Sequence, residues 1–209
     1  FLLSFESPKE TVVYENDGVY QKIKILDGTW EDHPARFLFQ DRNYSAAMFL
    51  DSKELAFEYT KYYQLYKLFN KEAKSAFVIG GGAYSIPKAL LSDSRNMQVD
   101  VTEIEPELFE LSQKYFNLQE TERLHNYIED GRRFLSKNQK KYDVIIADVY
   151  NSLIEMPINF TTKEFFVLTK NKLSDRGVFI GNFAGALDKE SSPLTFSEIK
   201  TFKKVFPNS

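Results

Sequence analysis

The chain has 209 residues, of which 43% are apolar and 27% are charged, and this composition is typical of a folded globular protein. Its 27 basic and 30 acidic side chains give a net charge of −3, which argues against a nucleic-acid or anionic-lipid partner. With no cysteine and only two histidines, thiol chemistry and a histidine-rich metal site are excluded. A magnesium-type carboxylate site stays open, although we predict no metal.

The first fifty residues alternate apolar and polar side chains, as β-strands do. Turn signals at Asn16-Asp17-Gly18 and Asp27-Gly28 separate the runs, so we predict β-hairpins. The four predicted strands are 11–14, 19–26, 36–40 and 47–50. We assign residues 1–52 to a small N-terminal β-hairpin domain.

Residues 53–70 change to a helical period, and strands and helices alternate strictly from residue 76 onward. The predicted strands are 76–80, 98–104, 125–129, 142–148 and 177–183, and the predicted helices are 85–93, 106–117, 131–138, 162–173 and 195–206. Strict alternation requires parallel strands joined by right-handed crossovers. We therefore predict a second, α/β domain over residues 53–209, with a doubly wound parallel sheet.

A glycine turn, Gly80-Gly81-Gly82, ends the first of these strands and begins a helix. Glycines remove the Cβ atoms that would block a ligand, and the next helix N-terminus offers unpaired amide hydrogens. The spacing is not Gly-x-Gly-x-x-Gly and no Lys-Ser/Thr pair follows, which disfavours a dinucleotide or a nucleoside triphosphate. We predict a nucleoside cofactor here, although such a turn can also be purely structural.

Acidic residues end the next three predicted strands, at the edge where open α/β sheets bind ligands. Glu103 follows the glycines by about 20 residues, the separation of an acid that accepts hydrogen bonds from both ribose hydroxyls. Asp130 precedes Gly131, and it can accept from an adenine amine, cap the next helix, or do both. Asp148 ends an apolar strand, so its carboxylate is costly unless it binds a cation or acts as a base. We assign Glu105 to the dipole of the following helix.

In this order, these residues resemble the spermidine synthase family, the polyamine aminopropyltransferases, in its divergent spermidine synthase-like branch. The matching stretches are Tyr20-Gln21, Gly80-Gly81-Gly82, Glu103-Ile104-Glu105, Asp130-Gly131 and Tyr142 to Asp148. The resemblance implies a β-hairpin domain on a Rossmann-like sheet of the S-adenosylmethionine-methyltransferase type. It also implies aminopropyl transfer from decarboxylated S-adenosylmethionine to a small-molecule amine or polyamine, which leaves methylthioadenosine.

The same resemblance implies roles for individual residues. Glu103 would hold the ribose, Asp130 the adenine amine, and Gln21 would lie near the sulfonium end of the donor. Asp148 would bind, orient and deprotonate the attacking amine. Four further residues are predicted to contact the substrate: Tyr20, Tyr59, Tyr150 and Asn151.

Several positions depart from the family pattern. Ala83 stands where the glycine turn normally continues with an aspartate for the donor's ammonium, and Asn151 replaces a second aspartate. Asp41-Arg42-Asn43-Tyr44-Ser45 replaces an aspartate-glycine-x-x-glutamine stretch, and Tyr59-Thr60-Lys61 replaces tyrosine-histidine-glutamate, so that Lys61 adds a positive charge. A dication would lose charge-assisted pairing in such a site. Two alternatives therefore stay open: an S-adenosylmethionine-dependent methyltransferase, and a non-catalytic domain that senses an adenosyl ligand.

The chain begins with Phe1-Leu2-Leu3-Ser4-Phe5 rather than with Met. We expect a preceding segment, which could be embedded in a membrane, and further strands after Ser209. No run inside the chain reaches the roughly 20 apolar residues of a membrane helix. We predict a cytoplasmic location, as a separate protein or as the cytoplasmic domain of a membrane protein, and a homo-oligomer stays open.

Overall fold

A computed structural model of the protein describes residues 10–149, 156–183, 192–207 and 209. Two sheets organise these residues: a four-stranded antiparallel sheet and a five-stranded parallel sheet. None of the helices in the described ranges combines the length and the apolar character that a membrane crossing requires.

The N-terminal sheet is a meander in which each strand pairs with the next. Its strands are β1 (Thr11–Asp17), β2 (Lys22–Trp30), β3 (His33–Gln40) and β4 (Asn43–Phe49). The predicted turn at Asp27-Gly28 is wrong, because both residues lie within β2, where the Arg36 Nε atom of β3 donates to Asp27 Oδ1 at 2.6 Å. The turn instead lies at Glu31-Asp32, where both residues have positive φ angles of 50° and 64°. That conformation matches the twist of a two-residue hairpin.

The predicted helix over 53–70 is broken into three short pieces. They are α1 (Glu58–Lys61), a 3₁₀ helix (Tyr62–Leu65) and α2 (Tyr66–Phe69). Tyr63 of the 3₁₀ helix and Tyr66 of α2 are both buried in the core cluster on one face of the parallel sheet.

The parallel sheet has the strand order β7-β6-β5-β8-β9. The strands are β5 (Ser75–Ile79), β6 (Gln98–Glu103), β7 (Leu124–Ile128), β8 (Tyr142–Ala147) and β9 (Leu173–Gly181). The order reverses between β5 and β8, and such a reversal opens a crevice at the carboxyl ends of the strands. The predicted doubly wound Rossmann-like α/β fold with an N-terminal hairpin sheet is confirmed.

The longer helices and one further 3₁₀ helix lie between or after these strands in the chain. They are α3 (Ser85–Asp93), α4 (Leu108–Tyr115), α5 (Gly131–Lys137), a 3₁₀ helix (Ile158–Phe160), α6 (Lys163–Lys172) and α7 (Pro193–Val205). Helix α5 begins at an N-cap, because the carboxylate of Asp130 accepts the amide of Arg133 at 2.8 Å. Thr162 caps α6 in the same way.

Buried apolar clusters on both faces of the parallel sheet form most of the core. Val78 and Ile146 belong to one cluster and Phe77 and Ile145 to the other, because successive strand residues point to opposite faces. A third cluster joins the two sheets: Ile23, Ile25, Leu38, Ala46, Ala83, Leu108, Leu111 and Phe116. The N-terminal sheet is therefore packed against the parallel sheet through α4.

Candidate active site

A cleft of about 1450 Å³ lies between the N-terminal sheet and the carboxyl ends of β5 to β8. All eight predicted cofactor and catalytic residues line it together with Tyr59: Gln21, Gly80, Gly81, Gly82, Glu103, Asp130, Gly131 and Asp148. Pockets for one small ligand measure about 300–1,000 Å³. The cleft is therefore large enough to hold a donor and an acceptor side by side.

The glycine turn is held in shape by close contacts and by one carboxylate. Gly80 has a φ of 89°, and a Cβ atom there would lie 2.4 Å from the backbone oxygen of Asp148. Gly82 also has a positive φ, of 52°. The amides of Gly81 and Gly82 donate to Glu103 Oε2 at 2.8 and 3.1 Å. The amide hydrogens of Gly81 and Gly82 are thus bonded within the protein.

Glu103 has a second function that the sequence did not indicate. Its side chain is buried, and its Oε1 atom accepts the amide of Glu105 at 2.9 Å. Burial raises the pKa of the Glu103 carboxyl, while the amides of Glu105, Gly82 and Gly81 partly offset that rise. A carboxylate has about four acceptor positions, and most of them accept backbone amides here, those of Gly81, Gly82, Glu105 and Ile104. The ribose role stays a prediction, but Glu103 also fastens the glycine turn.

Asp148 lies one residue beyond β8 and next to the glycine turn. Its amide donates to the backbone oxygen of Ile79 at 3.0 Å, and the amide nitrogen of the Asn182 side chain donates to Asp148 Oδ1 at 3.1 Å. Burial raises the pKa of Asp148, and hydrogen bonds from Asn182 and Tyr63 partly offset the rise. A carboxyl group in this state can pair with an ammonium and accept a proton from it.

Asp130 and Gly131 lie after β7 and serve the start of α5. The N-cap role that we considered for Asp130 is confirmed by its bond to the Arg133 amide, and its adenine role stays a prediction. A Cβ atom on Gly131 would lie 2.3 Å from Ile79 Cγ2 and 2.9 Å from Thr102 Oγ1. The glycine is therefore required for close packing of α5 on the sheet.

The N-terminal sheet brings Gln21 to the cleft but not Tyr20. The Oε1 atom of Gln21 accepts from Gln40 Nε2 at 2.6 Å. The Tyr20 side chain is 59% exposed and is not among the described lining residues, so the structure does not support its predicted substrate contact. Glu105 has a contact that the sequence did not indicate, because its carboxylate accepts the amides of Val19 and Tyr20 at 3.1 and 2.8 Å.

The structure shows where two residues that depart from the expected family pattern lie, Ala83 and Lys61. Ala83 is 1% exposed and belongs to the apolar cluster between the sheets, while it still lines the cleft. Lys61 pairs with Glu58 at 2.9 Å and is not among the described residues of the cleft lining. The positive charge of Lys61, which we expected in the site, is therefore paired with Glu58 outside the described cleft lining.

The sequence did not single out several polar residues that line the cleft. They are Gln40, Ser85, Asn159 and Asn182. Asn182 directly follows β9, so the rule that strand ends carry ligand contacts could have found it. Gln40 ends strand β3 in a hairpin and Asn159 lies within a 3₁₀ helix, and no local pattern marks a site at either position. The predicted contacts Tyr150 and Asn151 lie outside the described residues.

A parallel sheet with a glycine turn after its first strand and acids at the ends of the next three defines a Rossmann-like domain with a ligand-binding crevice at the carboxyl ends of its strands. The model of the "Spermine/spermidine synthase domain" matches residues 59–207 of this chain. The chain therefore belongs to the spermine/spermidine synthase family.

The relatives of this chain include proteins that are named for two different activities. A polyamine aminopropyltransferase of Vibrio vulnificus is 26% identical over 98% of this chain and 68% of its own length. An N-terminal histidine N-methyltransferase of Emericella nidulans is 34% identical over 64% of this chain, which spans only 23% of that protein. The crystal structure of a probable spermidine synthase from Corynebacterium glutamicum has a TM-score of 0.75 at 21% identity, covering 90% of this chain and 69% of that one. This structural likeness supports the fold.

Proposed function

We propose that this chain is an aminopropyltransferase-like transferase domain. It binds decarboxylated S-adenosylmethionine over the glycine turn and transfers the aminopropyl group to a small-molecule amine or polyamine. The observation that carries this proposal is that Glu103, Asp130 and Asp148 all line the cleft next to the glycine turn. Family membership and the aminopropyltransferase named among the relatives support the same activity.

The order of the strands suggests how the donor lies in the cleft. Along the carboxyl edge come Asp130 after β7, Glu103 as the last residue of β6, the glycine turn after β5 and Asp148 after β8. Neighbouring strands are about 4.8 Å apart, so three spacings cover about 14 Å, the scale of an extended adenosyl donor. We place adenine at Asp130, ribose at Glu103 and the sulfonium near Asp148 and Gln21.

The chemistry follows from this placement. The acceptor nitrogen attacks the aminopropyl carbon that is bonded to sulfur, and the new N–C bond forms as the C–S bond breaks. The electron pair stays on sulfur, and neutral methylthioadenosine leaves. An ammonium has no lone pair, so the acceptor must first lose a proton, and Asp148 would accept that proton and orient the amine. Its raised pKa brings Asp148 closer to the pH at which a general base is effective.

A product assay tests this function directly. The protein is incubated with decarboxylated S-adenosylmethionine and putrescine, cadaverine or spermidine, and both products are quantified by mass spectrometry. The proposal expects methylthioadenosine and an aminopropylated amine in equal amounts. Saturable binding of methylthioadenosine in calorimetry, without either product, would contradict the transferase and support the adenosyl-sensing alternative.

Methyl transfer from S-adenosylmethionine is the second candidate. Two observations favour it: Ala83 gives no carboxylate for an aminopropyl ammonium, and the N-methyltransferase relative has 34% identity. In this reaction the amine attacks the methyl carbon, and S-adenosylhomocysteine leaves. Parallel incubation with S-adenosylmethionine separates the candidates, because the methyltransferase yields S-adenosylhomocysteine and a methylated amine, whereas the aminopropyltransferase yields neither.

A further inference from the structure

Glu105 connects the two sheets at a point beside the cleft. It lies two residues after Glu103, in the segment that follows β6, and is 1% exposed. Its two oxygens accept from two successive backbone amides of the segment between β1 and β2, those of Val19 and Tyr20. These two amides lie outside β1 and β2. The Glu105 carboxylate therefore accepts their hydrogen bonds in place of the carbonyl oxygens of a neighbouring strand.

The turn from Gly18 to Gln21 is built around this carboxylate. The Gly18 amide donates to the Gln21 backbone oxygen at 2.9 Å and closes the turn. A Cβ atom on Gly18 would lie 2.7 Å from Glu105 Oε2 and 2.8 Å from the Gln21 backbone oxygen. A larger residue at position 18 would therefore displace the carboxylate or open the turn.

Gln21 is the last residue of this turn and the one that reaches the cleft. Its backbone is held by the turn around Glu105, and its side chain is held by Gln40. At the other end of the same short segment, Glu103 holds the amides of the glycine turn. The segment from Glu103 to Glu105 thus fixes both sides of the cleft relative to each other.

We propose that Glu105 is a positioning residue, which sets Gln21 against the glycine turn and so aligns the two sides of the cleft. Glu105 is not itself among the described residues that line the cleft, so it acts through Gln21. This inference rests on the proposed function, because that function places Gln21 beside the sulfonium end of the donor. Loss of Glu105 should therefore misalign the bound donor while its adenosyl contacts persist.

Glu107 provides a matched control on the same loop. It accepts from the Tyr14 hydroxyl at 2.8 Å and from Asn16 Nδ2 at 2.8 and 3.0 Å, and so it docks the same hairpin through side chains of β1. A carboxylate that only docks the N-terminal sheet would make Glu105→Gln and Glu107→Gln equivalent. A positioning role separates them.

The kinetic experiment compares Glu105→Gln, Glu107→Gln and Gly18→Ala with the parent. We expect kcat to fall by about 10- to 100-fold in Glu105→Gln and Gly18→Ala, because small misplacements of reacting groups are costly. The dissociation constant of methylthioadenosine should change little, and Glu107→Gln should keep the parent kcat. Equal losses of kcat in Glu105→Gln and Glu107→Gln would overturn the proposal.

A double-mutant cycle tests whether Glu105 acts through Gln21. In a Gln21→Ala background, Glu105→Gln should cost little further kcat, since coupled residues are not additive. Fully additive losses would refute the coupling.

Hydrogen exchange over residues 18–23 needs no turnover: we expect faster exchange in Glu105→Gln than in Glu107→Gln, and unchanged exchange would contradict the positioning role. A parent without turnover would refute the proposed function, and hydrogen exchange would then still decide on Glu105.

Discussion

Two acids near opposite ends of the parallel sheet, the buried Asp100 and the half-buried Asp148, have pKa values that are shifted in opposite directions. Near the amino ends, Asp100 of β6 is bonded to Lys140 Nζ at 2.8 Å, to the Tyr142 hydroxyl at 2.6 Å and to His125 Nδ1 at 2.8 Å. Burial alone would raise the pKa of Asp100, but hydrogen bonds from Lys140, Tyr142 and His125 outweigh it and hold the pKa below its usual value. At the carboxyl ends, Asp148 has neutral hydrogen-bond donors, and burial raises its pKa.

This difference shows that burial by itself does not mark a functional acid. Asp100 has its charge balanced inside the protein, which makes it a structural residue. Asp148 lines a cleft, and its hydrogen bonds from Asn182 and Tyr63 only partly offset burial, so a cationic substrate can supply what is missing. Perturbed acids in clefts are candidates for function for this reason.

The largest expected effect is on turnover in Asp148→Asn. The substitution keeps the shape of the side chain but removes the carboxylate that we propose binds and deprotonates the amine, so turnover should fall by about 10² to 10⁴. Methylthioadenosine binding, measured by calorimetry, should persist. The free energy of unfolding should not fall, because removing a partly buried charge can stabilise a fold. A variant that transfers at the parent rate would show that Asp148 is structural.

Glu103→Ala should weaken adenosyl binding to a smaller extent. It removes the predicted acceptor of the ribose hydroxyls and also frees the two amides of the glycine turn. We expect a loss of about 2 to 3 kcal/mol in binding free energy, or roughly 30- to 150-fold in the dissociation constant of methylthioadenosine. Calorimetric titration of parent and variant measures this loss. Parent-like affinity would rule out the ribose assignment.

Asp100→Asn should affect stability instead of activity. It removes a charged acceptor from Lys140, Tyr142 and His125, and we expect a loss of about 1.5 to 3 kcal/mol in the free energy of unfolding. Urea unfolding measures the loss. Turnover per folded molecule should match the parent, and a specific loss of turnover would contradict the assignment of Asp100 to structure.

The pH dependence of unfolding should distinguish the two aspartates by its sign. The lowered pKa of Asp100 gives stability above the unfolded-state pKa that is lost as the pH falls through the folded-state pKa, so Asp100→Asn should reduce the acid-induced loss. The raised pKa of Asp148 gives stability at low pH that is lost as the pH rises through the folded-state pKa. Asp148→Asn should therefore gain stability relative to the parent as the pH rises. Identical pH profiles in the two variants would contradict the comparison.

The parallel sheet could be predicted from the sequence because the sequence signals for its strands are local. Strands β5 and β8 are nearly continuous apolar runs, as buried parallel strands are. The failed predictions concern residues that contact other elements of the fold. Asp27 is bonded to Arg36 on the neighbouring strand β3, and Tyr63 packs into the core cluster of the parallel sheet.

The candidate site likewise has a part that could be predicted from the sequence and a part that could not. The acids after β6, β7 and β8 were predictable, because parallel strands place their carboxyl ends at one edge. Their hydrogen-bond partners were not predictable. The Gly81 amide bonded to Glu103 lies 22 residues away in the chain, and the Val19 amide bonded to Glu105 lies 86 residues away. Only the folded arrangement reveals that these two glutamates hold backbone segments in place.

A crystal structure of the protein with methylthioadenosine bound tests the central claim most directly. The account predicts adenine beside Asp130, ribose hydroxyls at Glu103, and the thioether sulfur over the glycine turn and facing Asp148. A ligand bound outside this cleft, or bound with its sulfur directed away from Asp148, would contradict the claim that the acids at the carboxyl ends of the strands form the active site.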